Sequence, residues 1–418
     1  MPFSNPNIAL GVTAKNTAMC IGDSLVANGW APTVNDITVK NRGWINWICL
    51  LLNQRIRVED SFAVGGSTMT DILDQYYDNI DSFSHVPRYV FISGGGNDLL
   101  ADPTQNTLTA VKNSYIQLFN AARSRDQVVL VLVNGAMDSA LTDPVRDVFY
   151  DFNTWLMEYA SQMDSVIPLD GFQVVLDADS ADGKPLANML YDSNIHYSSL
   201  AAQRIGVKAA NTLRDLLPKV DPFYVSFNDT HGSYPNLSPN GVLSGTSGSI
   251  SGITGDVADS WTGIKSGTVT VVGSKVASSS TEDFNGDWQR FVLSSGSGAN
   301  ETTMFTTITT GFTIGESVYS LFEVATSGLN EIAAVYLEIR CRNSGGTTIS
   351  RARTMIANDS SFGSIEDFSG VLRTPLMEVV TGTDNIQILL KITSNTGSTN
   401  ASGTVDLRRN SLRHVQTI

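Results

Sequence analysis

Cysteine is scarce in this sequence: its 418 residues include only Cys20, Cys49 and Cys341, and no two of them form a CxxC pair. Three cysteines cannot build a disulfide framework, and each has apolar neighbours, so we expect buried, unreactive thiols. Basic residues are also few, since 27 Lys and Arg stand against 41 Asp and Glu, for a formal net charge of −14. This balance disfavours contact with phosphate backbones or anionic lipids, so we expect neither nucleic acid nor membrane as a partner.

Long apolar runs are lacking as well. No stretch approaches 18 consecutive apolar residues, so we expect no helix that spans a membrane. The first sixteen residues contain no basic segment followed by an apolar run, and we therefore expect no secretory signal peptide. Apolar residues nevertheless make up 42% of the chain. That fraction is sufficient for well-packed cores, so we expect a soluble, folded protein.

At roughly 100–200 residues per domain, the length predicts two or three domains. After an N-terminal extension (1–16), residues 17–218 alternate short apolar runs with helical patterns. The candidate strands are 18–21, 55–64, 89–93, 128–134 and 166–170. A last helix is predicted from about Ser198 to Leu217, ended by Pro218. Strands that alternate with helices indicate βαβ crossovers, so we predict a three-layer α/β/α domain with a parallel sheet.

After Pro218 the helical periodicity disappears. Residues 219–240 contain three prolines and are predicted to be an extended linker. Residues 241–418 contain many short β-branched or alternating runs with turn-forming clusters between them. The predicted strands are 268–272, 288–293, 318–324, 332–339 and 386–392. This pattern is typical of an all-β jelly roll or β-sandwich.

Four short motifs follow predicted strands or precede a helix. They are GDSL at 22–25, AVGGST at 63–68, GGGND at 94–98 and DSNIH at 192–196. Because the carboxyl ends of parallel strands share one edge of the sheet, we expect the four motifs to meet there, where ligands bind in open α/β sheets.

The residue types in these motifs fit acyl transfer. The Ser24 hydroxyl is a weak nucleophile, and His196 is the candidate base that would activate it. The amide of Asn97 and the backbone N–H groups of Ser24 and Gly66 are candidate donors to the oxyanion. Asp192 could accept the second imidazole proton.

Each motif also has an ordinary structural interpretation. Gly-Asp-Ser is a common tripeptide, glycine pairs often form tight turns, and Asn97-Asp98 could cap a helix. The other histidines are poorer candidates for the base. His85 precedes the third strand, His231 lies in the linker, and His414 is near the C-terminus. Only His196 precedes a helix at the expected end of the sheet.

Taken in order, the four motifs resemble the SGNH (GDSL) hydrolase superfamily over about residues 17–217. The resemblance implies a flavodoxin-like sheet of strand order 2-1-3-4-5 and an esterase that needs no cofactor. It also implies that Ser24 is the nucleophile, that Gly66 and Asn97 are oxyanion donors and that His196 is the base.

The sequence departs from the family at one position. The family places its aspartate three residues before the histidine, where this chain has Ser193, and Asp192 lies one residue earlier. Asp192 could still reach His196 after a small loop adjustment. The alternative is a Ser–His dyad whose imidazole is held by a backbone carbonyl or by Ser193. Asp23, Asp98 and Trp288 are further candidates for contact with substrate.

Two weaker features accompany these motifs. Asp177, Asp179, Asp182 and Gly183 resemble the start of a calcium loop, but the spacing is wrong, so we predict no metal site. The glycine clusters lack a Walker lysine or a GxGxxG motif, so nucleotide binding is not expected.

The second half resembles jelly-roll carbohydrate-binding modules, through weak motifs at 236–241, 286–291 and 315–319. In such modules exposed aromatic residues stack on sugars, and Trp261, Trp288 or Tyr319 could do so here. A purely structural or oligomerising role is the alternative.

A hydrolase domain followed by a Ser/Thr/Gly-rich β domain resembles bacteriophage tail-associated esterases. We therefore expect an extracellular or virion-borne esterase, acting alone or in a homo-oligomer, that removes O-acetyl groups from polysaccharide. Two alternatives stay open at this point: a virion adhesin with a vestigial esterase site, and a lipase or lysophospholipase of the same superfamily.

Overall fold

A computed structural model describes residues 16–33, 35–135, 142–180, 183–191, 195–219, 236–277, 286–356 and 364–414. The first part of the chain contains, in order, β1 (Thr17–Gly22), α1 (Ser24–Ala27), β2 (Trp30–Thr33), β3 (Asp36–Lys40), α2 (Trp44–Leu51), β4 (Arg57–Ser61), α3 (Met69–Ile80), β5 (Tyr89–Ser93), α4 (Gly96–Ala101), α5 (Gln105–Ser124), β6 (Val128–Val133), α6 (Asp143–Ser161), β7 (Val166–Asp170), α7 (Phe172–Val175) and α8 (Ser199–Leu213).

Five of these strands form a parallel sheet in the order β4-β1-β5-β6-β7. Counted along the sheet's own strands this is 2-1-3-4-5, which confirms the predicted order. Successive residues of a strand point to opposite faces of a sheet, so each strand serves two cores. Ala18 and Cys20 of β1 pack in the core formed with α2 and α8, whereas Met19 and Ile21 pack in the core formed with α3, α5 and α6. The predicted three-layer α/β/α arrangement is therefore correct.

The second part of the chain is composed of strands. In order they are β8 (Ser247–Ser251), β9 (Thr254–Gly255), β10 (Val257–Ser266), β11 (Thr270–Val276), β12 (Trp288–Gly296), β13 (Glu301–Ile308), β14 (Ser317–Asn330), β15 (Ile332–Arg342), β16 (Thr348–Ile356), β17 (Ser369–Arg373), β18 (Met377–Glu378), β19 (Asn385–Ser394) and β20 (Ala401–His414).

These strands build two sheets. The eight-stranded sheet has the order β2-β3-β16-β15-β19-β13-β10-β8, and the other runs β17-β14-β20-β12-β11-β9, with β18 paired to β14. Large apolar side chains such as Trp261, Phe291 and Phe322 are fully buried in this part of the chain. The β-rich half is thus consistent with the predicted jelly roll or β-sandwich.

The first two strands of the eight-stranded sheet come from the α/β half. β2 and β3 form a hairpin between α1 and α2, and β3 pairs in parallel with β16, opposite Arg351 and Arg353. Both arginines bind the carboxylate of Asp36 on the hairpin. The sequence analysis did not predict this hairpin. The domain boundaries at 218 and 241 stay a prediction, but the two halves share a strand pairing across them.

The composition led to two predictions, one about the cysteines and one about membrane-spanning helices. The three cysteines are free and buried, and burial raises the pKa of Cys49 to about 12. Within the ranges that the structure describes, no helix is both long and apolar enough to cross a membrane.

Candidate active site

Ser24 is the first residue of α1 and follows β1, an interior strand of the parallel sheet, after the single residue Asp23. The turn between them requires glycine at position 22, which has a φ of +148° and leaves no room for a side chain. A Cβ there would lie 2.5 Å from the carbonyl oxygen of Ser93. Asp23 then caps α1, because its carboxylate accepts a hydrogen bond from the Leu25 N–H at 2.9 Å. The turn thus presents Ser24 at the carboxyl edge of the sheet.

The imidazole of His196 reaches the serine hydroxyl. Its Nε2 lies 2.8 Å from Ser24 Oγ, although the two residues are 172 positions apart in the chain. His196 lies shortly before α8, whose N-cap Ser198 accepts a hydrogen bond from the Ala201 N–H. The predicted nucleophile and base are therefore within hydrogen-bonding distance.

The AVGGST motif lies beside Ser24, and Asn97 of the GGGND motif contacts the AVGGST motif. A Cβ on Gly65 would be 3.8 Å from Ser24 Cβ, so the turn at 65–66 adjoins the serine. Gly66 has a φ of +85°, which favours glycine, and its surroundings are open. Asn97 donates one amide N–H to the Ser67 carbonyl at 2.9 Å, which fixes the plane of its amide and leaves a second N–H on the same nitrogen. Ser24 N–H belongs to the first turn of α1, where backbone donors have no acceptor within the helix.

Gln75 on α3 holds two of these motifs together, and the sequence analysis missed it. Its Oε1 accepts the Gly22 N–H at 2.8 Å, and its Nε2 donates to the Gly22 carbonyl and to Ser67 Oγ. The amide thus fixes the GDSL turn against the AVGGST turn. A glutamine in the middle of a helix outside any motif gave no signal for this role.

The two aspartates of the site hold backbone groups. Asp98 accepts the Met69 N–H at 3.0 Å, which ties the GGGND motif to the start of α3. Burial raises the pKa of Asp98, and burial also raises the pKa of Asp23 to about 7, with a further contribution from the nearby Asp98. Asp23 is only 3% exposed, which leaves almost no carboxylate surface for the predicted contact with substrate. Contact between Asp98 and substrate stays a prediction.

Asp192 and Ser193 lie outside the described residues. The Ser24–His196–Asp192 triad and the Ser24–His196 dyad therefore both stay predictions. Among the described residues, the Tyr191 ring stacks on the His196 imidazole, and the two ring centroids are 5.6 Å apart. The guanidinium of Arg42 lies 4.1 Å from the centroid of the Tyr191 ring. Sequence reasoning missed this stack, because Arg42 reaches it from the segment between the β2–β3 hairpin and α2.

The remaining histidines are placed elsewhere. His85 is exposed beside Ser84, and His414 lies at the end of β20, where it contacts the Gly311 carbonyl. His231 is outside the described residues.

The predicted sugar-stacking aromatics differ in accessibility. Trp261 is 1% exposed and packs edge-to-face on Phe322, so it belongs to the core and the expectation of sugar contact is wrong for it. Trp288 and Tyr319 each have an arginine over the ring, Arg408 and Arg373 respectively. Sugar contact by these two residues stays a prediction.

The aspartates that resemble the start of a calcium loop, where no metal site was predicted, fall in the segment after α7. Asp177 accepts the Asp179 N–H, and Asp182 lies outside the described residues. Across the described ranges no group of three or more His, Cys, Asp or Glu residues is arranged to hold a metal ion.

Comparisons with known proteins agree with this geometry. Residues 20–204 match the model of the GDSL-like Lipase/Acylhydrolase family. No curated protein sequence matches the chain significantly.

Solved structures give more distant likenesses. A member of the lipolytic protein G-D-S-L family from Veillonella parvula is 19% identical, with a TM-score of 0.36 over 47% of this chain and 96% of that one. The enzymatically active domain of bacteriophage CBA120 tailspike protein 4 is 16% identical, with a TM-score of 0.26 over 38% of this chain and 20% of that one. Carbohydrate-binding modules of the β-sandwich superfamily give 13% identity and a TM-score of 0.28, over 37% of this chain and 56% of that one. Because all these TM-scores are below 0.5, the fold assignment depends on the strand order and the family match.

Proposed function

Because residues 20–204 form a hydrolase domain of the GDSL/SGNH type, we propose that this chain is a serine esterase that removes O-acetyl groups from a surface or cell-wall polysaccharide. The observation that carries the esterase chemistry is the 2.8 Å separation between Ser24 Oγ and His196 Nε2. A serine becomes nucleophilic when a base at this distance accepts its proton.

In the first half-reaction, Ser24 Oγ attacks the acetyl carbonyl carbon while His196 Nε2 accepts the hydroxyl proton. The carbonyl oxygen becomes an oxyanion, and we propose that the N–H groups of Ser24, Gly66 and Asn97 donate to it. This assignment is supported by the turn at 65–66, which adjoins Ser24, and by the second amide N–H of Asn97, which its bond to Ser67 leaves available. The tetrahedral intermediate then collapses. The sugar hydroxyl leaves with the proton from His196, and the acetyl group stays on Ser24.

In the second half-reaction, water replaces the sugar. His196 accepts a proton from the water, and the resulting hydroxide attacks the acyl carbon under the same three donors. Collapse of the second intermediate returns the proton to Ser24 Oγ and releases acetate. The reaction needs only these side chains and water, so we propose that it uses no cofactor.

The openness of the site supports a polymeric substrate. Val64, beside the glycine turn, is 59% exposed, and a Cβ on Gly66 would have no neighbour within 4 Å. An ester on a bulky chain can therefore approach Ser24 from the surface. Because such polymers lie outside cells, we propose that the protein acts extracellularly or on a virion, and that neither nucleic acid nor membrane is its partner.

The test is hydrolysis of an aryl acetate, followed by acetate release from O-acetylated polysaccharides. We expect Ser24→Ala to abolish turnover and His196→Ala to reduce it at least several hundred-fold, because nucleophile and base act as a unit. Ser84 and His85 offer a matched control, since they form an exposed Ser–His hydrogen bond away from the site. Ser84→Ala and His85→Ala should retain full activity. Equal turnover by the wild type and Ser24→Ala would exclude the proposal, and acetate release from no polysaccharide would exclude the substrate class.

A further inference from the structure

A cavity of about 350 Å³ lies between the two halves of the chain, away from the residues of the esterase site. Its walls come from the edge strand β4, the C-terminal part of α2, the β2–β3 hairpin and the segment that starts at the end of β17. The volume is within the range of small-molecule sites. The charged, aromatic and exposed apolar side chains that line it include Trp30, Arg57, Glu59, Asp60, Arg373 and Leu376.

Arg373 is the most informative residue of this cavity. Its guanidinium lies 4.7 Å from the centroid of the Tyr319 ring, which holds it in place. Among the described residues, no carboxylate or carbonyl accepts a hydrogen bond from this guanidinium, whereas the neighbouring Arg57 is paired with Glu59 at 3.2 Å. Burial lowers the pKa of Arg373 to about 10, and Arg57 contributes to the shift, so the group is still cationic at neutral pH.

Glu59 acts on Arg373 through its charge but accepts no hydrogen bond from it. A partly buried cation without a hydrogen-bonded anion is costly, and an anionic ligand group would relieve that cost. A carboxylate suits the planar fork of a guanidinium, because it can accept two parallel hydrogen bonds. The other polar groups of the wall are complementary to hydroxyls, since Glu59 and Asp60 are exposed acceptors. Trp30 is half-buried in the same wall and offers an aromatic surface.

We propose that this interdomain cavity binds a short acidic saccharide, with the sugar carboxylate on Arg373, hydroxyls on Glu59 and Asp60, and a sugar ring against Trp30. The site is separate from Ser24 and His196 and does not depend on the esterase proposal. Its place between the α/β half and the β-rich half means that the ligand would contact both.

The experiment is calorimetric titration of the full chain with methyl glucuronide and with methyl glucoside, which differ at the carboxylate. We expect saturable binding of the glucuronide at millimolar concentration and at least tenfold weaker binding of the glucoside. Arg373→Gln should weaken glucuronide binding at least tenfold and remove the preference, whereas Trp30→Ala should weaken both sugars. Arg125→Gln is the matched control, because Arg125 is an arginine ion-paired to Asp81 on the surface. It should bind like the wild type.

A second variant keeps the test decisive if Arg373→Gln fails to fold. Leu376 is 38% exposed at the cavity, and Leu376→Trp should fill the space and abolish binding of both sugars while the thermal midpoint and aryl acetate turnover stay unchanged. No saturable binding to the wild type, equal affinity for the two sugars, or binding unaffected by Leu376→Trp would each overturn the proposal. Loss of esterase activity in the Ser24→Ala variant with sugar binding retained would separate the two sites.

Discussion

Asp23 is a buried acid next to the nucleophile, and its protonation links the stability of the site to pH. Its folded-state pKa is raised from 3.8 to about 7 by burial, while the unfolded chain keeps the ordinary value. Between these two values the folded state holds a proton that the unfolded state has lost. The contribution of Asp23 to the free energy of unfolding therefore falls as pH rises from about 4 to 7, by about 1.4 kcal/mol per pH unit, and levels off above 7.

The Asp23→Asn variant tests this link. Asparagine keeps a side-chain oxygen that can accept the Leu25 N–H, so the cap on α1 is retained. We expect the stability of the wild type relative to Asp23→Asn to fall by roughly 2–3 kcal/mol between pH 5 and pH 8. Urea unfolding of both proteins at the two pH values measures this difference. A constant difference would show that Asp23 titrates as it does in an unfolded chain.

Asn97 is the one proposed oxyanion donor whose N–H belongs to a side chain, so a substitution can remove it without changing the backbone. We expect Asn97→Ala to lower kcat for an aryl acetate by about 10²–10³, with a smaller effect on KM, because the bond to the substrate oxygen strengthens as charge develops. Asn97 also donates to Ser67. Thermal unfolding of the same variant therefore serves as the control for structural damage. A kcat within threefold of the wild type would remove Asn97 from the oxyanion site.

At the scale of elements, the β2–β3 hairpin is the piece that joins the two halves. Burial alone would raise the pKa of Asp36, but hydrogen bonds from Arg351 and Thr38, and the charge of Arg353, outweigh that effect and lower it. A carboxyl with a lowered folded-state pKa stabilises the protein above its unfolded pKa and loses that contribution as pH falls through the folded value. The ion pairs therefore stabilise the hairpin at neutral pH and not in acid.

Asp36→Asn should destabilise the protein by about 1–3 kcal/mol at pH 7, since two partly buried arginines lose their partner. The effect should shrink as the pH is lowered towards 3. Asp81→Asn is the matched control. It breaks the pair with Arg125, in which Asp81 is 74% exposed, and should change stability by less than about 0.5 kcal/mol. Denaturant unfolding of the three proteins gives the comparison, and equal stability of Asp36→Asn and the wild type at pH 7 would contradict this account of the hairpin.

The same hairpin shows where sequence reasoning ends. The strands β5 and β7 were predicted at their observed bounds, because each is a short, mainly apolar run that the local pattern reveals, fully buried in β5 and partly buried in β7. β3 instead alternates polar and β-branched residues and acquires its partner β16 more than 300 positions later. No local pattern encodes such a pairing.

The site likewise contains residues that the sequence predicted and residues that it did not. The Ser24–His196 pairing was predictable, since the GDSL and DSNIH motifs follow from chemistry at strand ends and the sheet brings them to one edge. Gln75 acts through hydrogen bonds to Gly22 and Ser67, and Arg42 acts through its contact with the Tyr191 ring. Neither residue belongs to a motif, so only the folded chain reveals these roles.

At the scale of the whole molecule, the two halves are packed as one body. A single buried cluster extends from α2 and α8 into the β sheets. Trp47 of α2 meets Phe368 of the β-rich half edge-to-face, with ring centroids 5.3 Å apart. Gln203 of α8 exchanges two hydrogen bonds with the backbone of Glu366. Such an interface is core-like, and cores shared by two parts of a chain couple their unfolding.

We therefore expect thermal inactivation of the esterase and loss of β-sheet structure, followed by circular dichroism, to share one midpoint. Phe368→Ala should lower both midpoints together. Truncating a buried phenylalanine lowers the free energy of unfolding by about 3–5 kcal/mol, and in a core shared by both halves that loss destabilises both. The control is Ile314→Ala, at a position 47% exposed in the same half, which should leave both midpoints unchanged. If Phe368→Ala lowered the β-sheet midpoint but not the esterase midpoint, the halves would be independent. The hairpin and its ion pairs would then be a local attachment, and ligand binding in the cavity between the halves would stabilise only one of them.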